Sequence, residues 1–140
     1  MKKRIIVTAS VFGILAVVAG AFGAHGLDGL LSTKNMEIWN TAVQYQFYHA
    51  FALLFLSTLV RYNFKLIKHC YVLFTAGTIL FSGSLYLLAC RLLLDWSWFP
   101  VLGPVTPIGG GLFIMGWLAL LFMGLKTSDK PASRERREKA

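Results

Sequence analysis

The apolar residues of this chain fall into four long blocks, roughly 5–23, 42–60, 71–89 and 105–125, and none of the four contains Lys, Arg, Asp or Glu. Each block is about 20 residues, the length at which an α-helix crosses a hydrocarbon core of ~30 Å. Folded in water, four such helices would be hydrophobic nearly all round, with almost no polar face left to cover them. The pattern therefore predicts an all-α integral membrane protein, with transmembrane helices over about residues 5–24, 40–60, 70–89 and 106–125. These make one domain over residues 1–125. Residues 126–140 are charged, lack an apolar period and contain Pro131, so a basic, disordered tail is expected there.

Composition agrees, with 56% hydrophobic residues, well above soluble usage. The net charge of +8 would suit a nucleic-acid binder, but its distribution excludes that class. With the first helix running inside to outside, Lys2, Lys3, Arg4, Arg61, Lys65, Lys68, Lys126, Lys130, Arg134, Arg136, Arg137 and Lys139 all fall on the inner side. Only Lys34 and Arg91 fall outside, while the acidic residues divide evenly, Asp28, Glu37 and Asp95 against Asp129, Glu135 and Glu138. This is the positive-inside asymmetry. It predicts an antiparallel bundle with both termini cytoplasmic. Trp39, Trp96, Trp98 and Phe99 fall at the outer ends of the helices and Tyr62 and Tyr71 at the inner loop, as expected of an aromatic belt. The basic tail suits anionic headgroups, although retention of topology alone explains it.

Two features concern the first helix. Its start and Ala19-Gly20-Ala21 also fit a secretory signal peptide, but the apolar run continues to Ala24, which favours a retained helix. Ala9, Gly13, Ala16, Gly20 and Ala24 recur at spacings of three and four, a stripe that lets helix backbones approach closely in lipid. Gly23, Gly83, Gly109 and Gly110 are further candidates for helix packing. In the last helix, Thr106 is the expected N-cap with Pro107 at the first helical position. A short amphipathic surface helix is expected within His25–Asn40.

Candidate chemistry has to come from polar side chains inside the apolar blocks, where they are costly and face inward. On the second helix, Trp39, Ala42, Gln46, His49, Leu53 and Ser57 share one face by the helical period, while Gln44 and Tyr48 point away. On the third, Thr75, Thr78, Ser82 and Tyr86 form a stripe. By helical rise, His49 and Ser82 lie about 10 Å or slightly more below the outer ends of their helices. A polar pocket open to the outside is therefore expected between helices two and three, built from His25, Gln46, His49, Ser82, Ser84, Tyr86 and Thr106. The competing expectation is that these groups bond one another as glue. Ser82 and Ser84 do not sit on a nucleophile elbow, and no carboxylate within the blocks orients a histidine, so no catalytic residue is assigned. Cys70 and Cys90, about 30 Å apart on one helix, cannot bond to each other. No metal or cofactor site is expected: there is no zinc-type spacing, and His25 and His49 differ in depth by about 10 Å.

Four separated segments, Gly20-Ala21-Phe22-Gly23-Ala24-His25, Val43-Gln44-Tyr45-Gln46-Phe47-Tyr48-His49, Leu80-Phe81-Ser82-Gly83-Ser84-Leu85-Tyr86 and Val105-Thr106-Pro107-Ile108-Gly109-Gly110, together resemble the YgdD/YwdK family of small bacterial inner-membrane proteins. The resemblance implies a multi-pass protein of the bacterial inner membrane with four helices and no established activity or cofactor. It also marks His25, Gln46, His49, Ser82, Gly83, Ser84, Tyr86, Thr106 and Pro107 as motif residues. The leading expectation is a non-enzymatic bundle acting by packing, lipid contact or a partner, either a second copy or another membrane protein. Its alternative is binding or transport of a small molecule, lipid or ion through the outer polar pocket.

Overall fold

A computed structural model describes residues 1–60, 64–94 and 102–126. The described chain is all-helical: α1 (Lys2–His25), α2 (Thr33–Thr58), α3 (Phe64–Ala89) and α4 (Val105–Lys126). The expected belt residues Trp96, Trp98 and Phe99, the loop residues Arg61, Tyr62 and Asp95, and the tail from Thr127 to Ala140 lie outside the described residues.

Helix α1 begins at Lys2, earlier than the expected residue 5, and the starts of α2, α3 and α4 differ from the sequence expectation each for a local reason. Of the segment His25–Asn40, expected to hold a short surface helix, residues 33–40 are the first turns of α2, which begins at Thr33 because the Ser32 hydroxyl accepts a hydrogen bond from the Asn35 amide at 3.3 Å. No glycine or proline interrupts Thr33–Asn40, so the helix runs straight on. The preceding turn uses Gly29 at φ 73°, a conformation that glycine reaches without steric cost. Helix α3 likewise starts at Phe64, six residues early, because Lys65 and Lys68 are good helix formers. Thr106 is not the cap of α4, since the helix already includes Val105 and the Thr106 hydroxyl is engaged elsewhere. Pro107 is tolerated because the first four amides of a helix have no partner within it.

The helices pack in chain order, α1 on α2, α2 on α3 and α3 on α4. Side-chain pairs show that each neighbour is antiparallel: Trp39 reaches Ala19 and Gln46 reaches Phe12, the Tyr45 ring lies against Phe81 and that of Trp39 against Tyr86, and Ser84 meets Thr106 while Phe74 meets Trp117. One apolar cluster gathers the start of α1, the end of α2, the start of α3 and the end of α4 around Ile5, Leu53, Leu56, Ile67, Phe74 and Met123. A smaller one at the opposite end joins Leu27, Trp39 and Ala89.

Close approach between α3 and α4 depends on glycine. A Cβ at Gly109 would lie 2.5 Å from the Phe81 amide nitrogen and 2.8 Å from its Cα. Backbone cannot move aside, so only glycine fits there at this helix separation. Gly77 and Gly116 make room for the rings of Phe113 and Phe74, and Gly23 for the ring of Trp39. Gly20 and Gly110 sit at ordinary contact distance from Val43 and Phe81. The packing role expected of Gly13 and Gly83 is not seen, since a Cβ at either would meet nothing within 4 Å.

Outward faces are apolar. Val11, Ile14, Leu15, Val17 and Val18 on α1 and Ile114, Met115, Leu118, Leu121 and Phe122 on α4 are all exposed, more exposed hydrocarbon than a monomeric soluble protein carries. Three helices, α1, α3 and α4, are long and apolar enough to cross a membrane. Helix α2 falls outside that group: its 26 residues include Gln44, Gln46, His49 and a polar first turn. It packs between α1 and α3, as α3 packs between α2 and α4.

Candidate functional site

The polar side chains of α2 and α3 separate into three places. At the first, the Gln46 amide nitrogen donates to the Phe12 carbonyl of α1 at 2.8 Å, and its amide oxygen accepts from the Tyr86 hydroxyl of α3 at 3.0 Å. One buried side chain thus ties three helices. Trp39, one face-repeat earlier on α2, adds a second tie by donating from its indole nitrogen to the Ala19 carbonyl at 2.9 Å. Its ring lies 4.7 Å from that of Tyr86. The Trp39 side chain is buried rather than exposed as a belt residue.

At the second place, the Ser84 and Thr106 hydroxyls bond at 2.7 Å, and Ser84 also contacts the Phe81 carbonyl at 2.9 Å. This joins α3 to the first turn of α4. It is separate from Gln46, because Ser84 lies two residues from Tyr86 and so projects from a different face of α3.

The third place holds His49. The expected pairing of His49 with Ser82 and Tyr86 is not what the structure contains. The ring stacks on Phe113 of α4, with centroids 3.4 Å apart and planes 8° from parallel, and Phe74 and Trp117 approach at 5.5 and 6.3 Å. Its Nδ1 lies 2.8 Å from the Tyr45 carbonyl of its own helix. A carbonyl only accepts, so the proton is on Nδ1 and Nε2 carries the lone pair. That Nε2 is buried without a partner among the described residues, as are the hydroxyls of Thr75 and Ser82. The reason for the separation is angular: Gln46 and His49 differ by three residues, about 60° around the helix axis. That suffices to send one toward α1 and Tyr86 and the other toward α4.

His25 ends α1 and is exposed, apart from all three places. The cavity that Gln46 and Tyr86 do line is not between helices two and three. It is a cleft of about 440 Å³ between α1 and α3, walled by Phe12, Leu15, Val18, Ile79 and Gly83, with Trp39 and Gln46 among its lining residues. Its walls are almost wholly apolar. No group of three or more His, Cys, Asp or Glu side chains able to hold a metal ion occurs among the described residues.

Sequence reasoning missed Gly77, Gly116, the burial of Trp39 and the partners of His49, and a signal existed for Gly116 and Trp39. Gly109 and Gly116 are seven residues apart, two turns of one face. Trp39 shares the face of Gln46, and that periodicity outweighs its place near a helix end.

Exposed hydrocarbon-like faces around helices joined by buried polar contacts define a small all-helical membrane protein. The chain belongs to the family described as "Protein of unknown function (DUF423)", whose sequence model matches residues 19–110. It is 42% identical to a UPF0382 membrane protein of Staphylococcus epidermidis over 124 residues, covering 89% of this chain and 97% of that one. To the UPF0382 membrane protein YwdK of Bacillus subtilis it is 37% identical over 127 residues, covering 89% and 98% respectively. No solved structure matches the chain.

Proposed function

We propose that this chain is a four-pass protein of the bacterial inner (plasma) membrane, with both termini cytoplasmic, that acts without catalysis through contact with lipid or another membrane protein. The observation that carries this reading is the placement of Gln46: both ends of its amide are engaged, on α1 and on α3. An amide that stabilises the bundle is not free to select a ligand. The Ser84–Thr106 and Trp39–Ala19 contacts repeat the pattern, each joining neighbouring helices. Available for interaction are the exposed apolar side chains of the helices, the apolar cleft between α1 and α3, and the charged ends.

Native mass spectrometry from membranes tests the reading, since it reports bound lipid, partner and stoichiometry together. Release with lipid, with a second copy or with another membrane protein is expected. A polar metabolite bound at one per chain would refute it. Topology is tested with single cysteines at exposed sites in a background lacking Cys70 and Cys90. An impermeant thiol reagent on intact spheroplasts should label Lys34→Cys and spare Lys126→Cys until lysis. The reverse order would overturn the orientation.

A further inference from the structure

The charges of the described chain are sorted by end. At the end where α1 and α3 begin and α4 finishes, Lys2, Lys3, Arg4, Lys65, Lys68 and Lys126 are all exposed, and no described Asp or Glu accompanies them. At the other end, Lys34 and Arg91 stand against Asp28 and Glu37. A collar of one sign is complementary to anionic lipid headgroups. The structure gives that general attraction a particular place.

The Thr8 hydroxyl of α1 and the Tyr71 hydroxyl of α3 are 2.9 Å apart, which pins the seam between these two helices. Arg4 is four residues before Thr8 and Lys68 three before Tyr71, so both fall on the faces bordering that seam, one turn nearer the charged end. On the other side of the Thr8–Tyr71 contact, the same two helices diverge into the apolar cleft walled by Phe12, Leu15 and Ile79. Along the helices, Arg4 is about 12 Å from Phe12, and Lys68 about 16 Å from Ile79. Half of a ~30 Å hydrocarbon core is the same depth. One seam therefore presents, in order, two cations, a polar pair and an apolar cleft at acyl-chain depth.

We infer that the α1–α3 seam is a binding site for one anionic phospholipid, its phosphate held between Arg4 and Lys68 and an acyl chain laid past Thr8 and Tyr71 into the near end of the cleft. This deepens the proposed function and rests on its lipid-contact arm. It does not depend on membrane orientation, because purified protein meets both leaflets alike in symmetric bilayers.

The test uses full-length protein reconstituted into vesicles of equal parts phosphatidylglycerol and phosphatidylcholine, then extracted for native mass spectrometry, with unfolding followed separately by circular dichroism. The wild type should retain phosphatidylglycerol in preference to phosphatidylcholine. Arg4→Gln with Lys68→Gln should lower that retention by about five-fold per charge removed, with its unfolding midpoint unchanged. Lys2→Gln with Lys126→Gln removes the same charge from the same end but away from the seam, and should leave retention within about two-fold. Arg4→Lys with Lys68→Arg, which keeps both charges, should retain the lipid and controls for loss of fold. Equal losses from the two neutralised pairs would reduce the effect to diffuse attraction and overturn the site. So would equal retention of the two lipids by the wild type. Either result leaves the proposed function standing if lipid of any class still accompanies the protein.

Discussion

Replacing Gln46 with Leu removes the two contacts by which α2 holds α1 and α3 together. Leu has similar bulk and suits a bilayer better, so α2 should insert at least as well, and the loss should appear in helix packing. Interhelical hydrogen bonds in a membrane average roughly 0.6 kcal/mol, reaching about 1.7. Losing the bonds to Phe12 and Tyr86, at 2.8 and 3.0 Å, and leaving the Tyr86 hydroxyl without its partner, should cost about 1–3 kcal/mol in all. Tyr86→Phe removes only one of the two bonds and should cost about 1 kcal/mol. The double variant should cost less than the sum, by the coupling energy of the shared bond, about 0.6–1.7 kcal/mol. The assay is reversible unfolding in mixed micelles, read by far-ultraviolet circular dichroism and by the tryptophans. Coupling within about 0.3 kcal/mol of zero, or a Gln46→Leu variant more stable than wild type, would refute the claim that this amide is structural.

Gly109→Ala should destabilise the bundle by about 1–3 kcal/mol, the range for overpacking, because its new methyl meets the Phe81 backbone. Gly83→Ala, with nothing within 4 Å of its Cβ, should be neutral or stabilising by up to about 1 kcal/mol from helix propensity; the same unfolding assay ranks the two. His49→Phe should leave stability unchanged or raise it, since a ring still stacks on Phe113 and the buried, unpartnered Nε2 disappears. A loss above about 2 kcal/mol would mean that Nε2 has a structural partner, such as a buried water.

The four helices were legible from block length, because an uncharged apolar stretch of about 20 residues has the length and composition of a helix suited to hydrocarbon. Their starts were less so: charge marks where a helix leaves lipid, not where it ends, and α2 and α3 both extend a turn or two into polar sequence at Thr33–Asn40 and Phe64–His69. The pairing of Gln46 with Tyr86 follows from facing stripes on antiparallel neighbours. His49 did not follow, because a stripe one residue wide spans enough angle to touch two different helices, and only packing decides which. Glycines show the same limit. Spacing places Gly13 and Gly83 among the small-residue contacts as readily as Gly109, but whether a backbone lies opposite depends on the neighbouring helix, as Phe81 does opposite Gly109.

The least apolar helix, α2, lies between α1 and α3, and the chain order explains how it reaches that place. Helix α1 precedes it and offers the Phe12 and Ala19 carbonyls, to which Gln46 and Trp39 donate. Carbonyls within a helix already accept one bond but have a second lone pair, so α1 can receive both donors without opening a turn of its own. Helix α3 follows and supplies the Tyr86 hydroxyl, which engages the remaining end of the Gln46 amide. Each contact fixes the vertical register of a hairpin, because a shift by one turn, about 5.4 Å, would break it. Once α3 is in register with α2, Gly77 and Gly109 bring Phe113 over His49, so α4 is placed by aromatic packing rather than by charge. The polar residues of α2 thus set position as well as stability, with α1 and α3 each aligned to the Gln46 side chain.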